Sequence, residues 1–386
     1  MLRPRMLPGL LFLLALFAPA CQAQLGKNVL IPAGSEFDRQ FKAINNATDP
    51  AEKLSLITEF AKTNPDGDAV IVADEQFVSY YIGAKQYDKA LEYGDKLFTL
   101  DPDNFNNALN MVRAANEKGD AARTFTYGEK AADIVHRYQA AQAPEGTNAA
   151  AWQLERKQKL DGIKEDQAYI EGALLNSAYL VSDPAKKADY LQRFAKLFPD
   201  SPNAPQALNI AAFSYQAAQN RPKMLEVANS VLEKNPNNIS MLLLLADDYS
   251  EKGESLDKAE SYATKAASLC DSAKKPEGVT DDDWQKQITL QKGLARSALG
   301  QVNMQKKDNL SAVKNLTAAS PFLKSNATLY ARNQYRLGFA YLNLKKAPEA
   351  KQALTEAASV AGPYQAPAQQ KLKDLAAAKP AHKKAA

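Results

Sequence analysis

Few side chains in this 386-residue chain are placed to do covalent or metal chemistry. His136 and His382 are the only histidines. They leave no pair for zinc and no material for a Ser–His or Cys–His couple. No glycine-rich phosphate loop occurs. The run Asp281-Asp282-Asp283 has the charge to hold a cation, but it stands at a predicted helix start just before Trp284, where carboxylates complement the helix dipole. Asp247-Asp248 falls inside a predicted helix and reads as a solvated or partner-facing edge. Asn-x-Ser/Thr sequons at Asn46, Asn238, Asn309, Asn315 and Asn326 carry weight only in a eukaryotic secretory pathway. The chain therefore reads as no enzyme, with no cofactor and no metal.

Binding is what remains, and charge narrows the partner. The formal net charge is +4, or +2 without Arg3 and Arg5, and Lys and Arg are interleaved with Asp and Glu. A phosphate-backbone binder concentrates its basic residues on one face, so nucleic acid is not the expected partner.

The opening "MLRPRMLPGLLFLLALFAPACQAQ" has a basic start, an apolar run from Leu10 to Phe17 and small residues after it. That is the layout of a secretory signal peptide, too short to span a bilayer. Cleavage after Ala23 frees a soluble chain beginning at Gln24. Cleavage before Cys21 leaves a lipidated cysteine, the possible anchor. Ala18-Pro19-Ala20-Cys21 resembles a bacterial lipobox without its large aliphatic residue, so soluble export is the reading taken, in the periplasm or secreted, with an outer-membrane lipoprotein as the alternative. No later segment is apolar enough to cross a membrane. Cys270, the other cysteine, has no internal disulfide partner, so packing must hold the fold.

The elements that would carry a binding face are short helices. In "QYRLGFAYLNLKKAPEAKQALTEA", residues 334–357, an apolar helix with a Leu-Gly pair gives way to a turn and then to a small-residue stripe. Tyr81 is followed nine residues later by Ala90, Tyr215 by Met224 and Tyr341 by Ala350; Phe77 and Met111 are 34 apart, as are Ala211 and Leu245. Leu337-Gly338, Tyr341, Ala350, Leu354 and Ala357 fall at the spacings of the tetratricopeptide (TPR) pattern, which this chain resembles over roughly residues 71–363. Units read at 71–104, 105–138, 168–204, 205–238, 239–273, 293–321 and 331–363, with a degenerate one at 36–67. The family's early tryptophan is missing from every unit. Ala90, Gly94, Ala131, Ala228, Ala263, Ala266 and Ala357 would let paired helices approach, and Tyr81, Tyr215, Tyr249 and Tyr341 would fill the space between pairs.

The rhythm breaks twice, and the breaks resemble each other. "PEGTNAAAWQ" and "PEGVTDDDWQ", 132 residues apart, each place a tryptophan, Trp152 or Trp284, eight residues after the proline. We read an internal duplication in which each Trp-bearing helix runs into the next unit. Trp152 to Leu174 spans 22 residues and Trp284 to Leu299 spans 15, a difference of about two helical turns that would keep the same face inward. Thr147 or Asn148, and Thr280 or Asp281, are the expected N-caps.

The resulting expectation is an all-α, right-handed superhelical solenoid of antiparallel helix pairs. A signal peptide at 1–23 precedes an N-terminal segment at 24–70 and a solenoid at 71–363, interrupted at about 139–167 and 274–292. A capping helix at 364–377 and a basic tail at 378–386 follow. The family resemblance implies that the first helices of successive units line a groove that receives a protein or peptide. Carried over by position, the groove candidates are Arg113, Asn116, Asn176, Tyr179, Asn209, Phe213, Gln216, Asp247, Ser250, Phe339 and Asn343, where amides can hydrogen-bond a peptide backbone and Phe213 and Phe339 can receive apolar anchors. The function expected is an exported scaffold or adaptor for a protein partner. The alternative is a glycan- or peptidoglycan-fragment-binding protein using aromatics near Trp152 and Trp284.

Overall fold

A 34-residue beat in sequence must reappear in the backbone if it is structural. The computed structural model describes residues 25–377; the expected signal peptide with Cys21, and the basic tail with His382, lie outside the described residues. Among the described residues there are 18 α-helices and no strand. The chain divides into two compact units, one reaching Ser182 and including Lys196–Phe198, the other made of Asp183–Ala195 and the chain from Pro199 onward.

The first unit holds α1 (Glu36–Asn46), α2 (Pro50–Thr63), α3 (Asp68–Gly83), α4 (Tyr87–Leu100), α5 (Phe105–Glu117), α6 (Ala121–Ala140), α7 (Ala149–Gly162) and α8 (Lys164–Leu180). The second holds most of α9 (Pro184–Leu197), then α10 (Ala204–Ala217), α11 (Arg221–Lys234), α12 (Ile239–Lys252), α13 (Leu256–Ser272), α14 (Asp281–Gln305), α15 (Asn309–Leu323), α16 (Ala327–Asn343), α17 (Ala347–Ala358) and α18 (Gln365–Ala377). Within each unit consecutive helices pack as hairpins, α3 on α4 and α5 on α6, then α10 on α11, α12 on α13, α14 on α15 and α16 on α17, and each hairpin packs on the next. Short connections force neighbours to run antiparallel, and one hairpin cannot bury its own apolar stripe, so the stack supplies the core.

The period is visible in dihedral angles and contacts. The turn inside a hairpin needs one left-handed residue: φ is +57° at Lys85 and +75° at Gly119, 34 residues on, then +57° at Gln219 and +67° at Gly253, again 34 apart. Equivalent side chains meet across that interval. Arg137 donates to Asp103 at 2.7 Å, Lys223 to Asp189 at 2.7 Å and Asn343 to Asn309 at 2.9 Å. The helix-capping asparagines do a second job: Asn104 and Asn238 each accept a first-turn N–H, and each Nδ2 reaches 29 residues back to the preceding first helix, to Glu75 at 2.9 Å and Asn209 at 3.0 Å.

Small residues sit where helices touch. Ala90, Ala131, Ala228, Ala263, Ala266 and Ala357 are fully or almost fully buried. A Cβ added at Gly338 would come within 2.6 Å of Leu354 Cγ, so that close approach of α16 and α17 requires glycine. Tyr215 is buried with its hydroxyl donating to Asp189 of α9, between pairs as expected, whereas Tyr81 is buried inside its own hairpin against Phe77 of α3 and Tyr93 of α4, and Tyr249 and Tyr341 are half-buried.

The two Trp-bearing segments start alike and end differently. Asn148 caps α7 and Thr280 caps α14. In the second unit α14 runs unbroken for 25 residues from the Asp281 cluster into the hairpin with α15. In the first, α7 stops at Gly162 and a new helix begins after Ile163 (φ −105°, ψ 7°). The expected single lengthened helix is therefore wrong for the first copy. The difference falls at an exposed glycine, where helix propensity is weak and α7 has no buried residue to hold it in line.

One segment outside the helices is anchored. Leu25 is buried, its carbonyl accepts the Phe105 N–H at 2.9 Å, and Lys27 N–H donates to Asp101 Oδ2 at 2.8 Å. Gly26 between them, at φ +133°, leaves no room for a Cβ beside Asp101 and Asn104.

Candidate functional site

The first helices of the second unit form one surface. Side chains of α10, α12, α14 and α16, with none from α11, α13, α15 or α17, enclose a cleft of about 420 Å³. Leu243 and Leu244 of α12, Leu290 and Leu294 of α14 and Leu329 of α16 make it apolar, and Phe213 of α10 stands at its edge with 43% of its surface exposed. Gln216, Gln287 and Gln291 add amides that can both donate and accept. The part of α14 that contributes Gln287 to Leu294 is the stretch just after Trp284, so the unbroken insertion helix builds one wall.

Asp247 and Arg332, both on the cleft lining, belong to a largely buried ion cluster. Arg332 Nη1 donates to Asp247 Oδ2 at 2.7 Å, and Arg336 Nη2 donates to Asp247 Oδ1 at 3.0 Å and to Glu251. Arg336 is only 4% exposed, and its Nη1 donates to Ser297 Oγ at 3.1 Å. Burial opposes the Asp247 charge, but the two guanidiniums outweigh it and hold the carboxyl below its usual range. Burial likewise works against charge on Arg336, and Asp247 with Glu251 more than compensates. Asp248 points elsewhere, to Arg221 Nε at 2.9 Å, and Arg221 also holds Glu254. The adjacent aspartates therefore form no solvated edge. Both are spent on ion pairs, reaching α16 and α11 respectively.

The groove candidates scatter accordingly. Phe213, Gln216 and Asp247 meet in the cleft. Ser250 does not belong there: it is 0% exposed, its Oγ donates to Asp247 O at 3.0 Å, and its own carbonyl accepts from Gln305. Three residues on from Asp247, about 60° round the helix, its side chain turns into the packing between α12 and its neighbours. Asn209 is held by Asn238, and Asn343, exposed, by Asn309. Phe339 lies in a separate small pocket against Tyr335, ring centroids 4.9 Å apart.

In the first unit, Arg113 pairs with Asp166 at 3.3 Å and lies over the Tyr169 ring, and Asn116 accepts from Ser177 Oγ at 3.0 Å. These two are engaged by α8. Asn176 and Tyr179 are exposed on α8 itself. Trp152 meets Tyr138 edge-on at 5.8 Å and donates its indole N–H to Ala141 O at 3.4 Å, a packing role. His136 is exposed on α6 and lines a 320 Å³ hollow beside Val135 and Phe198. Cys270 is buried, and burial pushes its thiol up to about 11.

Sequence spacing missed Leu290, Leu294, Leu329 and Arg332. Leu290 belongs to the Trp insertion at 274–292, outside the 34-residue register, and Leu294 stands just past its end, where the register resumes. Among the described residues no cluster of three or more His, Cys, Asp or Glu could hold a metal ion, and no helix is long and apolar enough to cross a membrane.

No known protein family matches the sequence, and no curated protein is similar enough to count as a relative. Among solved structures the chain is similar to one in an APC/C hetero-tetramer, Cut9-Hcn1, with 14% identity over 88% of this chain and 56% of that one and a TM-score of 0.39. It therefore spans little more than half the length of that protein. It is also similar to the TPR domain of P58(IPK), at 15% identity, 89% and 98% coverage and a TM-score of 0.27. A third likeness is to yeast Tom70, at 11%, 88% and 94%, with a TM-score of 0.31. Likenesses of this size assign neither a partner nor an activity.

Proposed function

We propose that this chain is an exported, tetratricopeptide-like scaffold that takes a segment of another protein into the cleft of its second unit. One observation carries the reading: an apolar trough laid across four successive first helices, with a large exposed ring at its edge and amides beside it. Leu243 and Leu244 are already buried, so a segment with leucine-like anchors would gain burial against the exposed Phe213 ring and the half-buried Leu290, Leu294 and Leu329 while its backbone bonds the glutamines. The mixed, near-neutral charge suits a protein better than a polyanion. The leader-like start supports export, and the soluble route is preferred to an anchor on Cys21.

A photo-activatable cross-linker placed at Gln216 or Leu290 should trap a discrete protein in cells, whereas the same probe at Lys314, exposed on α15, should not. Phe213→Glu together with Leu290→Glu should abolish trapping and leave the far-ultraviolet circular dichroism unchanged. Equal trapping from both faces, or trapping that survives the double charge, would refute the cleft assignment. Mass spectrometry of the purified N-terminus tests the export route: Gln24 as first residue is the expected result, and a lipidated Cys21 would replace soluble export with anchoring.

A further inference from the structure

Charge in this chain is balanced overall but segregated along its length. Residues 306–386 hold 14 Lys and Arg against 4 Asp and Glu, whereas residues 1–305 hold 34 against 40. Part of the excess is spent inside the second unit: Arg332 and Arg336 meet Asp247, and Lys306 reaches Asp257 and Glu260, each at 2.7 Å. Lys307, Lys314, Lys345 and Lys346 are exposed and have no ion-pair partner among the described residues.

These four share one edge of the last two hairpins. α14 and α16 end in the same hydrogen-bonded turn, and Asn343 Nδ2 donates to Asn309 Oδ1 at 2.9 Å, so the turn carrying Lys307 lies beside the turn carrying Lys345 and Lys346. Leu310 follows Asn309 and is 70% exposed, and Lys314 stands one helical turn along α15 from it. A leucine open to water therefore has lysines on its own helix and in both turns. The acids of this edge are Asp308, whose Oδ1 accepts a first-turn N–H of α15, and Glu349 on α17. In earlier hairpins the same edge is different. Lys118 pairs with Asp88, and Arg221 with Glu254 at 2.7 Å. Gly119 and Gly253 occupy there the left-handed turn position that Lys307 and Lys345 fill at φ +65° and +58°, where a side chain is strained.

We infer that this edge docks on a lipid surface carrying anionic headgroups. The lysine ammoniums meet the phosphates while Leu310 enters the boundary between headgroups and acyl chains, and the sequence beyond residue 377 adds Lys379, Lys383 and Lys384. Nucleic acid fits worse. The four cations include no arginine for a bidentate phosphate grip, no exposed aromatic ring stands among them for a base to stack on, and a leucine gains nothing from a sugar-phosphate backbone. None of these residues lines the cleft, so the contact stands whether or not a protein segment binds there.

The test is co-sedimentation of the full mature chain with vesicles. Phosphatidylcholine with about 30% phosphatidylglycerol should carry the protein down, pure phosphatidylcholine should not, and about 0.5 M sodium chloride should release it. A lysine near such a surface strengthens binding about fivefold, so Lys307→Gly, Lys345→Gly and Lys346→Gln together should weaken it about a hundredfold, and Leu310→Ser alone about tenfold. The two glycines relieve left-handed strain, so the melting temperature of the triple variant should hold or rise. The same loss of charge made at Lys62, Lys85 and Lys89 of the first unit should change binding by less than about twofold. Equal sedimentation with neutral vesicles, a triple variant that binds like the unaltered chain, or a first-unit variant that weakens binding as much would overturn the assignment. Tighter binding of duplex DNA than of vesicles at equal phosphate would also overturn it and make the edge a nucleic-acid contact.

Discussion

Asp74 in the first unit and Asp247 in the second are both first-helix aspartates taken largely out of water, and they behave in opposite ways. Asp74 is 8% exposed on α3 and has only the distant charge of Lys96 to favour ionisation, so burial pushes its carboxyl up to about 6. Asp247 meets Arg332 and Arg336 directly and is held low. The difference lies in what the neighbouring first helices deliver. In the second unit the unbroken α14 continues the surface from α12 to α16, and two arginines arrive from 85 and 89 residues away. In the first unit the corresponding insertion breaks after Gly162, and its helix α7 has no fully buried residue. The same repeat grammar yields a cross-linked surface in one place and a solitary acid in the other.

Removing one partner of the cluster should have the largest effect. Asp247→Ala strands the guanidinium of Arg332 and leaves Arg336 with Glu251 as its one carboxylate, and is expected to cost the second unit about 3–5 kcal/mol, read as urea unfolding followed by Trp284 emission in a Trp152→Phe background. Replacing Asp247, Arg332 and Arg336 together with Leu, Met and Met should recover most of that loss. A cost below about 1 kcal/mol for Asp247→Ala would mean the cluster is no better than a surface pair and would erase the contrast.

Packing gives the next effect. Gly338→Ala drives a methyl into Leu354 on the adjoining helix and should destabilise by about 1–3 kcal/mol, whereas Gly94→Ala in the first unit meets the flexible side chain of Met111 and should cost less. Equal losses in thermal melts would show that both interfaces are equally rigid.

pH separates the two acids more finely. The raised Asp74 carboxyl contributes stability that is complete below the ordinary 3.8 and is lost as pH rises through about 6. The lowered Asp247 carboxyl contributes stability present above 3.8 and lost as pH falls through its depressed folded value. Asp74→Asn should therefore stabilise the first unit by about 1–2 kcal/mol at pH 7 and have little effect at pH 4, a pattern that melts monitored by Trp152 would detect. The same variant acting equally at both pH values would show that Asp74 is not the titrating group. Smallest of all, Gly162→Ala should raise helicity across α7 and α8 and add about 0.5–1 kcal/mol; a loss instead would mean the break is required by packing.

The helical stack was legible because its signals are local: alanines and glycines at contact positions, caps such as Asn148 and Thr280, and a strict interval. The cleft was legible in part. Phe213, Gln216 and Asp247 follow from counting along the repeat, but the partners of Asp247 lie 85 and 89 residues downstream, and no periodicity announces an arginine aimed across α14. Ser250 shows the limit of face assignment: three residues on from Asp247 it sits only about 60° round the helix, and that offset is enough to take it from the cleft into the packing. The unequal Trp segments show another. Seven extra residues could have lengthened a helix by two turns, yet at Gly162 they were used to end one.

Leu25 leaves a last consequence for handling the molecule. Because it is pinned where α4 hands over to α5, the polypeptide enters the first unit beside its third hairpin and only then travels back to begin α1. Any tether, fusion or label attached upstream of Leu25 will hold that unit by its flank rather than by its end, and an immobilised sample will present α1 and α2 freely to whatever is passed over it.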